Sequence, residues 1–325
     1  MKTDSLTHKF KNNMKKCHYI NNLYTKYKWR ERKVSYGNDN PDKTFYVIRR
    51  ARCQCGLFSY VTTNLGRIKY AIDRGYIPVI DMQNENNTYL DDDRVGCENS
   101  WEYYFEQPCG YSLKDIKHSK NVILGNGLID ESFDYPDKLV PWDENEYSKW
   151  HDISLKYLRI KKELIDNFKQ DEDVLSYDGL NKRLIGVLAR GTDYITLKPH
   201  EHPIQPSVDE LSAHIANLLE TGGYDGIYLA TEDADIYETL KEHFKDKLYA
   251  PNVVRYSRGE LSNINNAIIE RDNDRYLKGE EYLKSMWMLT QCKAFIAGNV
   301  SGTVGVLLLN ENYEYKYIFN KGLYD

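Results

Sequence analysis

Short apolar runs alternate with segments of helical periodicity from Thr44 to the end of the chain. The runs predict strands at TFYVI (44–48), YIPVID (76–81), NVILGNG (121–127), RLIGVLA (183–189), GIYLATED (226–233), VVRY (253–256), KAFIAGN (293–299) and YKYIFN (315–320). Helical patterns lie between them, ending near 75 and covering 142–171, 207–220, 235–245, 280–292 and 303–309. Apolar strands separated by helices are typical of βαβ units whose parallel sheet is covered on both faces.

Two such blocks flank the polar segment SYDGLNKR (176–183). The pattern therefore predicts an α/β fold with two Rossmann-like domains whose parallel sheets face each other across a cleft. We expect a basic N-terminal segment over 1–43, an acceptor-binding domain over 44–175 and a nucleotide-sugar-binding domain over 176–325.

Composition narrows the class of protein. The 44 Lys and Arg against 49 Asp and Glu give a net charge of −5, which offers no overall case for nucleic acid. No apolar run reaches the length of a membrane span and no secretory signal is evident, so we expect a protein of the cytoplasm. Six cysteines without a CxxC pair indicate free thiols rather than a disulfide framework or a zinc site.

The charge is uneven along the chain. Residues 1–33 contain ten Lys and Arg against two acidic residues, a local charge of +8, with Tyr19, Tyr24, Tyr27 and Trp29 among them. A solvated basic helix against the body of the protein explains this pattern. A peripheral contact with an anionic membrane face is the functional alternative, and it suits an enzyme that acts on lipid-linked acceptors. RNA binding has no motif to support it.

The first candidate site follows the strand at 183–189. Ligands of parallel sheets bind beyond the carboxyl ends of the strands, and Arg190-Gly191-Thr192-Asp193 stands at such an end. A guanidinium fork with nearby backbone N–H groups suits a phosphate, and Asp193 is placed to fix the fork or act on a hydroxyl. A buried Arg–Asp pair that braces a turn is the structural alternative.

Other strand ends contain further candidates for donor binding. Thr231 and Asp233 open a helix, where either helix capping or contact with a ribose or base explains them. Hydroxyls at the start of a helix form an anion site, which makes Ser301, Gly302 and Thr303 candidates for holding a diphosphate without a metal. Gly56 in the earlier block allows a ligand to approach the backbone.

Proton transfer and metal binding have separate candidates. His200-Glu201-His202 follows the Arg190 loop, and Glu201, His202 and Asp193 are candidate general bases. The run Asp91-Asp92-Asp93 offers a DxD arrangement for Mn²⁺ or Mg²⁺ under a nucleotide diphosphate, whereas a solvated turn is the structural alternative. GxGxxG and GxxxxGK[ST] do not occur in the sequence, which excludes dinucleotide and P-loop motifs.

Three segments in order resemble a known family. GVLARGTDYITLKPHEHPI (186–204) resembles an HxRR(G)D loop, GIYLATEDADIYETLKEHF (226–244) a strand ending in LATDD, and YLKSMWMLTQCKAFIAGNVSGTVGVLL (282–308) an LSQCDxxxxxxSS segment. These are motifs of the fucosyltransferases that include protein α-1,6-fucosyltransferase and the rhizobial Nod-factor enzyme. CGLFSYVTTNLGRIKYAIDRGYIPVID (55–81) is similar to their N-terminal Gly-rich loop and helix.

The resemblance implies a GT-B fold and an inverting, metal-independent transferase with GDP-fucose as donor and a glycan as acceptor, in polysaccharide biosynthesis. It implies that Arg190 grips the β-phosphate, that Ser301 binds phosphate and that Asp233 is the acidic residue of the second motif. No cofactor is implied beyond the donor substrate. A metal-dependent transferase using Asp91–Asp93 and a non-catalytic glycan- or protein-binding module on a transferase scaffold are the alternatives.

The sequence also departs from the family pattern at four positions. Leu188 stands where the family has histidine, and Gly191 where a second arginine is usual. Ser285 falls where an aspartate reads guanine, and Lys198 aligns with a proposed general base. The phosphate grip is therefore better supported than recognition of guanine or abstraction of a proton.

Overall fold

The computed structural model describes residues 18–51, 53–129, 133–136, 144–171, 174, 181–257, 269–310 and 312–325, without the side chains of 18–20, 144, 146, 147 and 193. Within these ranges the strands form two sheets. The predicted segment 1–43 is therefore described only in part, and residues 1–17 lie outside the described residues.

The first sheet has four strands in the order β1-β4-β2-β3. They are β1 (Arg32–Val34), β2 (Phe45–Arg49), β3 (Ile77–Asp81) and β4 (Val122–Leu124). β2 lies parallel to both β3 and β4, as the apolar pattern predicts, whereas β1 pairs antiparallel with β4. β1 lies inside the predicted basic segment. Its sequence RKV is too short and too charged to read as a strand.

The second sheet has five strands in the order β7-β6-β5-β8-β9, all parallel. They are β5 (Leu184–Leu188), β6 (Gly226–Ala230), β7 (Leu248–Tyr249), β8 (Ala294–Gly298) and β9 (Tyr315–Phe319). The first strand of this half therefore lies in the middle, and the chain turns outward in opposite directions from β5 and β8. That is the Rossmann arrangement, and it opens a crevice between the loops that follow these two strands.

Ten α-helices are described. They are α1 (His18–Trp29), α2 (Leu57–Ile72), α3 (Trp101–Tyr104), α4 (Glu144–Tyr157), α5 (Lys162–Gln170), α6 (Asp193–Leu197), α7 (Val208–Thr221), α8 (Ala234–Phe244), α9 (Asp274–Gln291) and α10 (Ser301–Leu309). The predicted helical stretch 142–171 is thus two helices within its described part. The helix predicted over 280–292 begins a turn and a half earlier, at Asp274.

One predicted strand is wrong. Residues 253–256 form no strand, and Tyr256 makes only a single bridge to Asp233. Local hydrogen bonds hold this segment instead, because Arg255 donates to the carbonyl oxygen of Pro251 at 2.7 Å and that of Val253 at 3.4 Å. The edge strand beside β6 is β7, which begins five residues earlier.

A shared core joins the two halves. Buried side chains of β2 and α2 belong to one apolar cluster with those of α4, β5, α9 and α10. α10 packs against α2 and α4, which come from the other half of the chain. The strands of the first sheet lie within residues 32–124 and those of the second within 184–319, and the predicted domain limits at 43/44 and 175/176 stay predictions.

Candidate active site

A cavity of about 540 Å³ opens at the crevice between the loops after β5 and β8. The second half of the chain contributes the residues that follow three strands, including Arg190, Thr231, Glu232, Ser301 and Gly302. The first half contributes the turn before α2 and the side chains around it, including Gln54, Cys55, Gly56, Phe58, Ser59 and Tyr89. The cavity therefore lies between the two halves, at the place where parallel-sheet proteins bind their ligands.

Arg190 lies at the wall of this cavity. Its Nη1 is 3.2 Å from Oε1 of Glu232, and its side chain remains 19% exposed. The guanidinium carbon is 5.4 Å from the centre of the Tyr194 ring, which holds the fork from the side. Arg190 is thus paired with a carboxylate and also lines the cavity.

Two helices begin at the cavity after a residue that has no capping side chain. α10 follows Val300, which has no side-chain oxygen to accept a hydrogen bond, and α2 follows Gly56. At the start of α2, the Leu57 backbone is hydrogen-bonded to the Tyr89 side chain. The first amide N–H groups of a helix have no partner within the helix and bear a partial positive charge. Two helix N-termini from different halves of the chain therefore face the same cavity as Arg190.

The loop after β6 has a different design. Asp233 is fully buried, and its Oδ1 accepts the Ile236 N–H at 2.9 Å, which caps α8. Its Oδ2 accepts the Thr192 N–H at 2.7 Å and so ties the loop after β5 to the loop after β6. Of the two explanations given for Asp233 above, the geometry shows the capping contact.

Gly191 is needed for this close approach of the two loops. A Cβ atom at Gly191 would lie 2.1 Å from Oδ2 of Asp233, so no side chain fits. The Gly191 N–H donates to Glu232 at 3.2 Å. The backbone donors predicted to face a phosphate here, at Gly191 and Thr192, are thus used by carboxylates of the neighbouring loop.

Three residues are candidates for the general base, and the structure separates them. His202 lines the cavity, and its Nδ1 is 3.0 Å from the His200 carbonyl oxygen. Because a carbonyl only accepts, Nδ1 has the proton and Nε2 has the free lone pair. Glu201 is largely exposed, at 75%, and is not part of the lining. The side chain of Asp193 lies outside the described residues.

The remaining predicted site residues divide by position. Those that line the cavity are Gly56, Arg190, His202, Thr231, Ser301 and Gly302. Gly191, Glu201, Asp233 and Thr303 do not contribute to the described lining. Thr303 is buried and its hydroxyl donates to the Gly298 carbonyl at 2.6 Å, which fastens the start of α10 to the end of β8.

Several lining residues were not singled out in the sequence. Glu232 stands between two that were, and it accepts hydrogen bonds from Gly191 and Thr192 besides its contact with Arg190. α9 supplies further lining side chains at Lys278, Glu281 and Tyr282, in one row with Ser285, which the sequence analysis named as a departure from the family pattern. Their spacing of three and four residues is the signal that they share one helix face.

The charged lining residues of α9 are paired with charges on α9 or just before it. Arg271 holds the Glu281 carboxylate through both nitrogens, at 2.5 and 3.0 Å, and also contacts Asp274 at 2.9 Å. These hydrogen bonds raise the pKa of the Arg271 guanidinium, so it stays charged. Burial lowers the pKa of the Lys278 amine, which nevertheless faces Asp274 at 3.9 Å.

The acidic run at 91–93 is not part of the cavity lining. Asp92 lies 3.1 Å from Arg275, and Asp91 lies 3.7 Å from Arg94 and 3.9 Å from Arg275. Cationic neighbours compete with a metal ion for these oxygens. In the described ranges, no three His, Cys, Asp or Glu side chains are grouped so that they could hold a metal.

No family model matches the chain, and no curated protein sequence matches it. Similar solved structures include NodZ alpha-1,6-fucosyltransferase co-crystallized with GDP, at 13% identity over 86% of this chain and 96% of that chain, with a TM-score of 0.48. Fucosyltransferase NodZ from Bradyrhizobium is 13% identical over 82% of this chain and 92% of that chain, with a TM-score of 0.45. POFUT1 in complex with GDP is 13% identical over 86% and 74%, with a TM-score of 0.37. These neighbours are fucosyltransferases, the class that the sequence resembles.

Proposed function

We propose that the protein is an inverting glycosyltransferase that moves a sugar from a nucleoside diphosphate to a hydroxyl of a glycan, without a metal ion. One observation supports this most directly: Arg190 and the uncapped starts of α10 and α2 meet at one cavity. Three sources of positive potential from separate elements favour a ligand with more than one negative charge. A diphosphate has that charge.

The choice of donor rests on the sequence resemblance, which favours GDP-fucose. The lining combines the two kinds of surface that such a donor needs. Arg190 and Ser301 are polar, and the apolar lining residues are Leu188, Ala230, Val253, Val254, Ile269 and Met286. A nucleobase suits the apolar surface, and Thr231 and Ser285 add hydroxyls to the lining.

Transfer requires that the bond between the anomeric carbon and the diphosphate oxygen breaks. Negative charge then grows on the departing diphosphate, and preorganised donors at that position lower the barrier. Arg190 supplies a permanent charge, and the start of α10 supplies amide N–H groups whose positions are fixed by the helix. These groups take the role that a divalent cation has in metal-dependent transferases.

The acceptor hydroxyl attacks the anomeric carbon from the face opposite the diphosphate, so the configuration inverts. Its oxygen forms the new bond while its proton passes to a base. His202 is the candidate that the geometry favours, since it lines the cavity and Nε2 has the free lone pair. Its ring centre lies 5.7 Å from that of Tyr194, which also contacts Arg190, so one tyrosine orients both groups.

Replacing Arg190 with alanine tests the proposal. We expect GDP binding measured by calorimetry to weaken at least about a hundredfold, because a charged bidentate contact is lost. Transfer from GDP-fucose should fall below detection while circular dichroism stays unchanged. Arg183→Ala is the matched control, since Arg183 lies before the other end of β5 and pairs with Glu314 at the surface. Normal transfer by the Arg190 variant would refute the phosphate assignment.

The alternatives are separated by two further measurements. Activity that survives EDTA excludes a metal-dependent transferase that uses Asp91–Asp93. A screen of GDP, UDP and ADP for thermal stabilisation separates an enzyme from a non-catalytic module, which should bind none of them tightly. A nucleotide at 100 times its dissociation constant stabilises the folded state by about 2.7 kcal/mol.

We also propose that the acceptor is glycan attached to a lipid, at the cytoplasmic face of a membrane. α1 supports this because Leu23, Tyr24 and Tyr27 are 51%, 55% and 63% exposed, while Trp29 at its end is buried. Arg30 lies over the Tyr27 ring at 3.6 Å, so cations and rings share the outward face. No helix within the described ranges has the length and apolarity of a membrane span.

Vesicle sedimentation tests this contact. The protein should sediment with vesicles that contain phosphatidylglycerol more than with phosphatidylcholine alone, and added salt should release it. Leu23→Ser combined with Tyr27→Ser should reduce binding, whereas Leu155→Ser, at an equally exposed leucine of α4, should not. Equal binding by all three proteins would exclude α1 as the contact.

A further inference from the structure

Tyr282 lines the cavity from α9, beside the start of α10. Its ring meets the Phe58 ring edge-on, with the centres 5.9 Å apart, so side chains from both halves of the chain fix its direction. Ring packing of this kind restricts the side chain without using its hydroxyl. The hydroxyl is therefore held in place and available to a ligand.

No described residue makes a hydrogen bond with the Tyr282 hydroxyl, whereas the other tyrosine of α9 has its hydroxyl engaged. Tyr276, six residues earlier on α9, donates to Glu280 at 3.0 Å. Burial is the main cause that raises the pKa of Tyr282. The group therefore stays protonated at neutral pH, as a hydrogen-bond donor on the wall of the cavity.

Gly302 shows where that hydroxyl lies. A Cβ atom at Gly302 would come within 2.6 Å of the Tyr282 hydroxyl oxygen, so the glycine leaves the space that the hydroxyl occupies. Gly302 is the second residue of α10 and is therefore among the residues whose amide N–H groups start the helix. The phenol thus stands directly beside the uncapped N-terminus.

We propose that the Tyr282 hydroxyl donates a hydrogen bond to the diphosphate of the donor, together with Arg190 and the start of α10. The inference rests on the proposed function, since it adds a hydrogen-bond donor of the protein to the same anion site. A tyrosine suits this role because it donates without adding a second charge to the cavity. Its contribution should grow as the diphosphate takes up charge during departure.

The test compares Tyr282→Phe with the wild-type protein for binding of GDP and of GMP by calorimetry. We expect GDP to bind about tenfold more weakly, the usual effect of losing a hydrogen bond to a charged group, and GMP to bind nearly as before. The turnover number for transfer should fall by at least the same factor. Tyr276→Phe, on the same helix and outside the lining, should change none of these values.

Gly302→Ala supplies a second measurement that depends on geometry. The added methyl group should displace the Tyr282 hydroxyl and weaken GDP binding in the wild-type background, but have a smaller effect in Tyr282→Phe, where the phenol oxygen is missing. Unchanged GDP binding by Tyr282→Phe would overturn the inference. If the wild-type protein itself binds no nucleoside diphosphate, the proposed function fails instead, so the two failures are distinguishable.

Discussion

The helices that follow β6 and β8 begin at the same edge of one sheet but are built differently. α8 starts at Asp233, whose carboxylate caps the helix and ties down the loop after β5. α10 starts at Val300, which cannot cap, and its first residues line the cavity. The comparison shows that a side chain of the protein caps one N-terminus, whereas the residue before the other has no capping side chain. Neither the sheet nor the helix dipole distinguishes them, and only the capping residue does.

The largest expected effect is the loss of stability when the cap of α8 is removed. Asp233→Ala should lower the free energy of unfolding by about 3 kcal/mol, because a helix cap is lost and the buried Thr192 N–H is left without a partner. Chemical denaturation measures this. Asp235→Ala, at an exposed position of the first turn of α8, is the control and should change stability by only a few tenths of a kcal/mol.

The same variant addresses the predicted donor-binding role of Asp233. If the residue acts through the loops, loss of GDP affinity should accompany the loss of stability and be partly restored by conditions that stabilise the fold. A protein with unchanged stability and no GDP binding would instead indicate direct contact with the donor.

A smaller effect is expected when a capping side chain is introduced at the start of α10. Val300→Thr keeps the branched shape and adds a hydroxyl that can accept an N–H of the first turn of α10, as an N-cap does. GDP should then bind several-fold more weakly, because the added hydroxyl competes for the donors of the ligand. The new cap stabilises α10 whereas a hydroxyl replaces a buried methyl group, so these two effects oppose each other and the unfolding free energy without nucleotide should change by less than about 1 kcal/mol. Val300→Ala, which adds no acceptor, separates this competition from lost packing, and equal GDP affinities of the two variants would contradict the comparison.

The smallest effect is expected at α2. Gly56 has φ −65° and ψ 154°, a conformation that serine adopts readily as an N-cap. Gly56→Ser should stabilise the free protein by about 0.5 kcal/mol. It should weaken GDP binding about two- to threefold, because an energy of that size changes a dissociation constant by that factor. Gly56→Ala is the control for the added Cβ. Thermal melting with and without GDP measures the stability of the free protein and its affinity for GDP. A gain in GDP affinity would show that α2 does not face the diphosphate.

The three central strands of the second sheet, β6, β5 and β8, could be predicted well because they are apolar and buried on both faces and because the residues that follow them are polar. Arg190, Thr231 and Ser301 come to one cavity for this reason: the carboxyl ends of parallel strands share an edge. The order of the strands puts the crevice between β5 and β8. The predicted site at these loops therefore followed from periodicity and topology together.

The errors have different physical causes. Val253 and Val254 have strand-forming side chains, but Val254 is 44% exposed and Arg255 bonds to carbonyls beside it, so local contacts override propensity. The antiparallel pairing of β1 depends on a strand ninety residues away. Glu232 could not be predicted because its role depends on a contact with Arg190. Arg190 lies in another loop, so the contact leaves no pattern in the sequence around Glu232.

Tyr282 was missed for a related reason. Its sequence context indicates a helix that packs on the sheet, and a tyrosine at such a position is read as core. Only the three-dimensional structure shows that its hydroxyl meets the space left by Gly302. Sequence reasoning detects groups that share one element, whereas sites assembled between elements require the packing to be known.

The packing of α10 has a practical consequence for protein engineering. Phe58 of α2 occupies the space beside Gly305, where a Cβ would come within 1.8 Å of its ring, and His151 and Ser154 of α4 each donate to the Leu308 carbonyl oxygen at 2.9 Å. α10 lines the cavity with its first residues, and α2 and α4, from the opposite half of the chain, hold its later residues in place. A fragment cut near residue 176, or a chimera joined there to a foreign N-terminal half, would lose these contacts, and donor recognition would be lost with them even if every nucleotide-facing residue were retained.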